Sequence, residues 1–255
     1  MESNKLASDQ DGPAVRLEHV SKAFGGRKVL EDVTFHVDSG KAFCLLGRSG
    51  MGKSVTLKIV IGLIKPDQGR VFIKQNEIET LGPPKLAEVR KSVGFLFQNA
   101  ALFDSITVAE NVAFPLRRHT DKSEGEIQAI VREKLSEVEL EKEGGKMPSE
   151  LSGGMGKRAG LARALALDPS ILLVDEPSSG LDRITASEIY QLLLQLKKKQ
   201  KVTLIAVTHD MVGARVFADR FAVLDQGRIA AVGTADDLAN SNNRLIHDLA
   251  AGSVT

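Results

Sequence analysis

Apolar residues along this chain fall into two kinds of run. Residues 42–46, 92–97, 171–174 and 202–208 are nearly continuous apolar stretches bounded by polar residues, the pattern of parallel strands buried on both faces. Residues 14–20, 33–37 and 70–74 read as further strands, the last with alternating character. In between, apolar positions recur at helical spacing, which predicts helices over residues 54–63, 156–167 and 184–197. Ile127, Val131, Leu135 and Val138 form one apolar stripe behind Ser123-Glu124-Gly125-Glu126, which has the spacing of a capping box. Residues 221–224 and 228–232, joined by Asp225-Gln226-Gly227, predict a β-hairpin, and residues 236–252 a short helical tail. Strands alternating with helices predict an α/β protein, with residues 99–164 as a charged helical insert between two strands.

The chemistry sits in the joints of this pattern. Between the strand at 42–46 and the helix that follows lie Gly47-Arg48-Ser49-Gly50-Met51-Gly52-Lys53-Ser54. Strand, glycine-rich loop and helix in that order make a phosphate cradle: glycines let backbone amides wrap an anion, the helix start adds its positive dipole end, and Lys53 reaches the outer phosphates. Ser54 is placed to offer its hydroxyl to Mg²⁺, a hard cation held by a few protein oxygens, phosphate and water. Gln98 follows the strand at 92–97, at the carboxyl end where ligands gather in open α/β sheets, although a glutamine there is also an ordinary surface residue. Asp175 and Glu176 close the most apolar run; Asp175 is placed to orient Mg²⁺ through water and Glu176 to act as base toward an attacking water. His209 ends the strand at 202–208 and could bond a terminal phosphate oxygen. Phe24, in Phe24-Gly25-Gly26-Arg27, reads either as a platform for a base or as core. Ser152-Gly153-Gly154 caps a second helix start suited to an anion. One loop already wraps the phosphates, so this second site suggests service to another chain's nucleotide.

Composition narrows the alternatives. Lys plus Arg number 34 against 33 Asp plus Glu, so no basic excess points to nucleic acid. The single cysteine, Cys44, can form neither an internal disulfide nor a zinc site, which fits a reducing cytoplasm. Residues 1–13 are polar and acidic, lack the apolar core of a signal peptide and are expected to be disordered, followed by one domain over 14–235 and a tail over 236–255. The apolar stretch 59–64 is far short of the roughly 20 residues needed to cross a bilayer.

Taken in order, these motifs resemble the nucleotide-binding subunit of ATP-binding cassette (ABC) transporters over residues 14–252. Phe24 is similar to the adenine-stacking aromatic and Gly47 to Ser54, with Val55 behind it, to the Walker A loop. Gln98 matches the Q-loop, residues 151–155 the signature, residues 171–176 the Walker B strand with its catalytic Glu176, residues 179–182 the D-loop and His209 the switch histidine. The resemblance implies an ABC-type P-loop NTPase fold, with a RecA-like core, an antiparallel β subdomain and an inserted helical subdomain. It implies Mg²⁺-dependent ATP hydrolysis in a head-to-tail homodimer, each ATP held between Lys53 and its loop in one chain and Ser152, Gly153 and Gly154 of the other, with Gln98, Ser54 and Asp175 toward Mg²⁺. Leu-Ser-Gly-Gly-Met departs from the commoner form at Met155. With the flanks of the P-loop and of Gln98, it is similar to the Mla and Mce phospholipid-transport ATPases. An ATPase without a membrane span must pass its motion to another chain, so a permease helix is expected to dock between residues 98–116 and the sheet, and the narrower resemblance implies an Mce-type lipid-binding partner and a small STAS-domain partner. It places the chain peripherally, on the cytoplasmic face of a bacterial inner membrane. An importer of other cargo, such as amino acids, is the alternative. A non-transport ABC ATPase lacks support, because no long coiled coil, zinc set or basic excess is present. The cluster Lys197-Lys198-Lys199-Gln200-Lys201 reads more simply as a basic helix end than as a lipid contact.

Overall fold

The structure, a computed structural model, describes residues 12–241 together with Asn243 and Ile246. The expectation of disorder over residues 1–11 and most of the expected tail beyond residue 241 lie outside the described residues.

Two sheets share the chain. A four-stranded antiparallel sheet, in the order β2-β1-β4-β5, contains β1 (Val15–Phe24), β2 (Arg27–Val37), β4 (Gln68–Ile73) and β5 (Asn76–Glu77). The second is built from β3 (Ala42–Leu46), β6 (Val93–Leu96), β7 (Ile171–Asp175), β8 (Thr203–Thr208), β9 (Arg220–Asp225) and β10 (Arg228–Gly233), in the order β10-β9-β3-β8-β7-β6. All of its strands run parallel except the edge strand β10. The near-continuous apolar runs have a direct cause here. Cys44, Leu172, Val174, Leu204 and Ala206 face one buried cluster, while Phe43, Leu45, Ile171, Leu173, Ile205 and Val207 face the other. Both faces of the sheet are covered, by helices on one side and by the antiparallel sheet with the first helix on the other.

Helices α1 (Lys53–Val60), α5 (Gly153–Leu165) and α6 (Arg183–Gln200) replace the expected spans 54–63, 156–167 and 184–197. α1 stops early because Gly62 turns left-handed at φ 68°. α5 starts early because Ser152 caps it and the two glycines already take helical geometry. Strands β1 and β2 are longer than the apolar pattern suggested. Left-handed His19 (φ 54°) and Asp32 (φ 57°) sit where the β1–β2 register shifts, so bulges interrupt the alternation without ending the strands.

Helix α4 (Glu124–Glu137) begins at the expected capping box, and Ile127, Val131, Leu135 and Val138 are all buried. Helix α3 (Val108–His119) falls inside the helical insert expected over residues 99–164 without a separate reading of its own, whereas α2 (Pro83–Lys91) and the short α7 (Met211–Ala214) have no counterpart in the sequence pattern. α2 buries no residue fully and packs only half-buried Leu86 and Val89 against the core, too short a stripe to read. α3 carries Pro115 inside it, usually a helix breaker, but opens with a capping box between Thr107 and Glu110. Short helices α7 and α8 (Ala235–Ala239) complete the described α-helices, beside two single 3-10 turns at Ile78–Thr80 and Pro148–Glu150.

Register places the site. Leu46 pairs with Thr208, Asp175 with Val207 and Leu96 with Val174, so β3, β8, β7 and β6 end level with one another. The residues just beyond those ends are therefore gathered along one edge.

Candidate functional site

The loop after β3 is shaped by close approach. A Cβ on Gly47 would lie 2.5 Å from the Leu224 carbonyl oxygen, and one on Gly52 would lie 2.8 Å from Leu30 Cδ2. Gly50 and Gly52 are left-handed, at φ 79° and 98°. No side chain caps the start of α1. Lys53 is buried, and its Nζ donates to the carbonyls of Gly47 (2.7 Å) and Arg48 (3.1 Å) while standing 3.1 Å from Glu176 Oε1.

Glu176, 7% exposed, is held left-handed (φ 46°) just past β7, with its N–H donating to Val207 O at 2.9 Å. Its other carboxylate oxygen, Oε2, lies 3.0 Å from His209 Nδ1. Ser54 Oγ donates to Asp175 Oδ1 at 2.8 Å. Burial pushes the Asp175 carboxyl above the usual carboxylate range, opposed by that hydrogen bond from Ser54. Gln98 Nε2 donates to Ser179 Oγ at 3.2 Å. Lys53, Ser54, Gln98, Glu176 and His209 line one cavity of about 310 Å³, together with Ser49, Gly50, Gly52 and Val55. A buried cation, a loop with left-handed glycines at 50 and 52, and two hard oxygens 2.8 Å apart suit a polyphosphate with Mg²⁺.

The remaining expected residues stand apart from that cavity. Ser152 and Gly153 line a second one, of about 520 Å³, with Asn99, Lys157, Gly180 and Leu181. Gln98 and Ser179 line both. Gly154 is buried, and a Cβ there would stand 2.4 Å from Thr185 Cγ2. Arg48 is exposed and contributes its carbonyl, and Met51 packs partly into the core. Phe24 is 46% exposed at the β1–β2 turn, so the core reading does not hold; Lys22 Nζ lies 5.3 Å from its ring centroid. A larger cavity, about 720 Å³, opens near Arg16, Phe72, Lys74 and Lys201, at the starts of β7 and β8. It holds no carboxylate, and Lys201 sits at the carboxyl end of α6, where the dipole opposes an anion.

Sequence reading missed two buried residues around the site. Tyr190, the chain's one tyrosine, places its hydroxyl 2.7 Å from Ser178 Oγ and 2.8 Å from Asp210 Oδ2. It therefore joins the turn after Glu176 to the residue after His209. Lys157 donates to main-chain carbonyls of Gln98 and Glu176 (3.0 Å to the latter). Burial holds its ammonium below the usual lysine range, opposed by the Asp175 and Glu176 charges. Its signal was available: a lysine on the stripe Gly154, Lys157, Leu161, Leu165, all four buried.

An α/β sheet with a glycine-cradled lysine and a serine–aspartate pair at its strand ends defines a P-loop nucleotide-binding protein. The sequence profile described as ABC transporter matches residues 30–179. The chain is 42% identical over 94% of its length to the probable ribonucleotide transport ATP-binding protein Mkl of Mycobacterium leprae, spanning 70% of that protein. It is 40% identical over 91% of its length to the methionine import ATP-binding protein MetN of Rhodopseudomonas palustris, spanning 64% of it. It is 38% identical over 90% of its length to the intermembrane phospholipid transport system ATP-binding protein MlaF of Haemophilus influenzae, spanning 87% of it. Among solved structures it is similar to a dimeric, post-hydrolysis ATP-binding cassette bound to ADP and Pi, with a TM-score of 0.80 and 34% identity, covering 86% of this chain and 98% of that one. The chain belongs to the ABC transporter family, as an ATP-binding subunit.

Proposed function

We propose that this chain is the Mg²⁺-dependent ATPase of a phospholipid transporter, working as a head-to-tail homodimer on the cytoplasmic face of a bacterial inner membrane. Glu176 accepts the proton of the attacking water, Lys53 and His209 hold the phosphoryl oxygens, and Ser152 of the second copy closes the site. The Lys53–Glu176–His209 chain of contacts supports these roles, because it puts the base and both donors in one cavity. Ser54, Asp175 and Gln98 are the residues that would hold Mg²⁺, which when bound offsets charge on the β- and γ-phosphate oxygens. Phe24 offers an exposed ring for the base.

No described helix is long and apolar enough to cross a membrane, so cargo contact is left to a permease. Phe103 and Phe114, 44% and 47% exposed with ring centroids 4.8 Å apart, edge a cavity of about 390 Å³ with Phe95, Phe97 and Arg163, and this is the docking place proposed for a permease helix. Leu102 packs instead against the core. The observation that carries the phospholipid reading is Met155 in the signature together with the likeness to MlaF over most of both chains. The likeness to MetN favours a second reading, an amino-acid importer. Purifying the complex in detergent and identifying bound molecules by mass spectrometry separates them. Phospholipid with an Mce-domain protein is expected, and recovery of an amino-acid-binding protein would sink the proposal.

A further inference from the structure

Helix α5 does more than present Ser152. Residues 157, 160 and 163 are spaced three apart and meet the segment that follows β6. Lys157 Nζ donates to the Gln98 carbonyl; Arg163 donates to the carbonyls of Ala100 (2.8 Å) and Ala101 (2.7 Å). Between them, Gly160 lies so close that a Cβ there would stand 2.9 Å from the Ala100 methyl. Ala100 and Ala101 are both left-handed, at φ 57° and 52°, a conformation that residues with side chains keep only where their surroundings hold it. The second bond of Lys157, 3.0 Å to the Glu176 carbonyl, reaches another left-handed residue at the end of a different strand.

Lys157 is 5% exposed, and its two acceptors are neutral carbonyls. A buried ammonium is an expensive anchor for a helix, since an apolar side chain would fill the same stripe without desolvating a charge. What a lysine adds is reach: three donors on one atom hold two main-chain segments at once.

We propose that Lys157 is the positioning residue through which the Ser152 end of α5, which faces one nucleotide, sets the backbone of Gln98 and Glu176, which face the other. This rests on the two-site dimer reading above. When α5 closes on the second copy's nucleotide, Lys157 carries the displacement to the Gln98 and Glu176 carbonyls of its own chain, so the two sites turn over together.

The test is Lys157→Met in the full chain, purified with its permease, with ATP hydrolysis measured across ATP concentration and affinity measured separately with a fluorescent ATP analogue. Turnover falls about tenfold, the size expected for losing hydrogen bonds from a charged group. Saturation loses its sigmoidal form, and affinity stays within about twofold because no P-loop contact is touched. Lys157→Arg, which keeps the charge and donors, recovers turnover to within about threefold of the parent. Unchanged turnover and cooperativity in Lys157→Met overturns the proposal, as does a loss that appears only in affinity, or a hyperbolic curve for the unaltered protein. Should Lys157→Met fail to fold, Lys157→Gln decides by the same readouts: reduced turnover with lost sigmoidal form at near-parental affinity supports the link, and parental cooperativity overturns it. Light scattering of Glu176→Gln with ATP separates the two levels. If it stays monomeric, the two-site reading falls; if it dimerises while Lys157→Met keeps parental cooperativity, only Lys157 loses its role.

Discussion

Two helices of this chain begin at glycine-rich turns, yet their starts are built differently. α1 begins at left-handed Gly52 without a side-chain cap, and its first residues are folded into a cavity with Glu176 and His209 of the same chain. α5 begins at Ser152, whose Oγ accepts the Met155 N–H at 3.3 Å, and Ser152 and Gly153 lie exposed. Around α1 the chain supplies a lysine, a glutamate and a serine–aspartate pair. The cavity at the start of α5 is lined by one lysine, Lys157, whose donors are turned to main-chain carbonyls, and by one acid, Asp104. The first start is a cradle furnished by its own chain. The second is an exposed, capped helix start without a basic side chain turned toward it, which fits the half-site proposed above, where another copy brings the phosphates.

The largest effect tests the furnished start. Glu176→Gln should lower ATP hydrolysis about 10²- to 10⁴-fold, the usual cost of removing a general base, while ATP still binds and the mass measured by light scattering doubles. Phosphate release at the parent rate would break the assignment of Glu176, and a mass that stays monomeric with ATP would break the half-site reading of α5.

A pair of alanine substitutions sharpens the contrast. Gly52→Ala puts a side chain at φ 98° and against the Val29 carbonyl at 2.9 Å, so ATP binding to the single chain should weaken by about tenfold or more. Gly154→Ala instead presses on Thr185, and should lower stability by about 1–3 kcal/mol through overpacking while leaving single-chain ATP affinity intact. Fluorescent nucleotide titrations beside thermal melts read both quantities. Equal losses of affinity in the two variants would erase the distinction between the helix starts.

Ser152→Ala is the smallest change. Removing the cap should cost about 1 kcal/mol, a fall of about 2–4 °C in Tm for a domain of this size, with single-chain ATP affinity unchanged. Calorimetry showing no shift would mean that the Ser152–Met155 bond contributes nothing to α5.

Local signals carried much of the architecture. Each buried strand of the parallel sheet announces itself as an apolar run, because both of its faces are covered, and the capping box at Ser123 marks the start of α4 correctly. Where the signal was weak or contradicted itself, reading failed. α2 presents only half-buried Leu86 and Val89 to the core, and α3, with Pro115 inside it, was legible only as part of the helical insert despite the same capping spacing at Thr107. Bulges at His19 and Asp32 hid the full length of β1 and β2. Nor could Phe24 be assigned from its neighbours alone, since an aromatic beside two glycines suits either a core or a surface.

By itself, then, the sequence determined the alternation of strand and helix, the phosphate loop and the order of polar residues at strand ends, because each depends on neighbours within a few positions. Tertiary structure alone decided how those residues meet. Register aligns the ends of β3, β8, β7 and β6, so residues as distant in sequence as Lys53 and His209 share one cavity. It also decided that Ser152 and Gly153 face a separate cavity, and that Lys157 spans the Gln98 and Glu176 backbones. Spacing along a chain reports which face of an element a residue occupies. Which distant backbone carbonyl a buried ammonium reaches is set by how sheet and helices pack, and no local pattern encodes it.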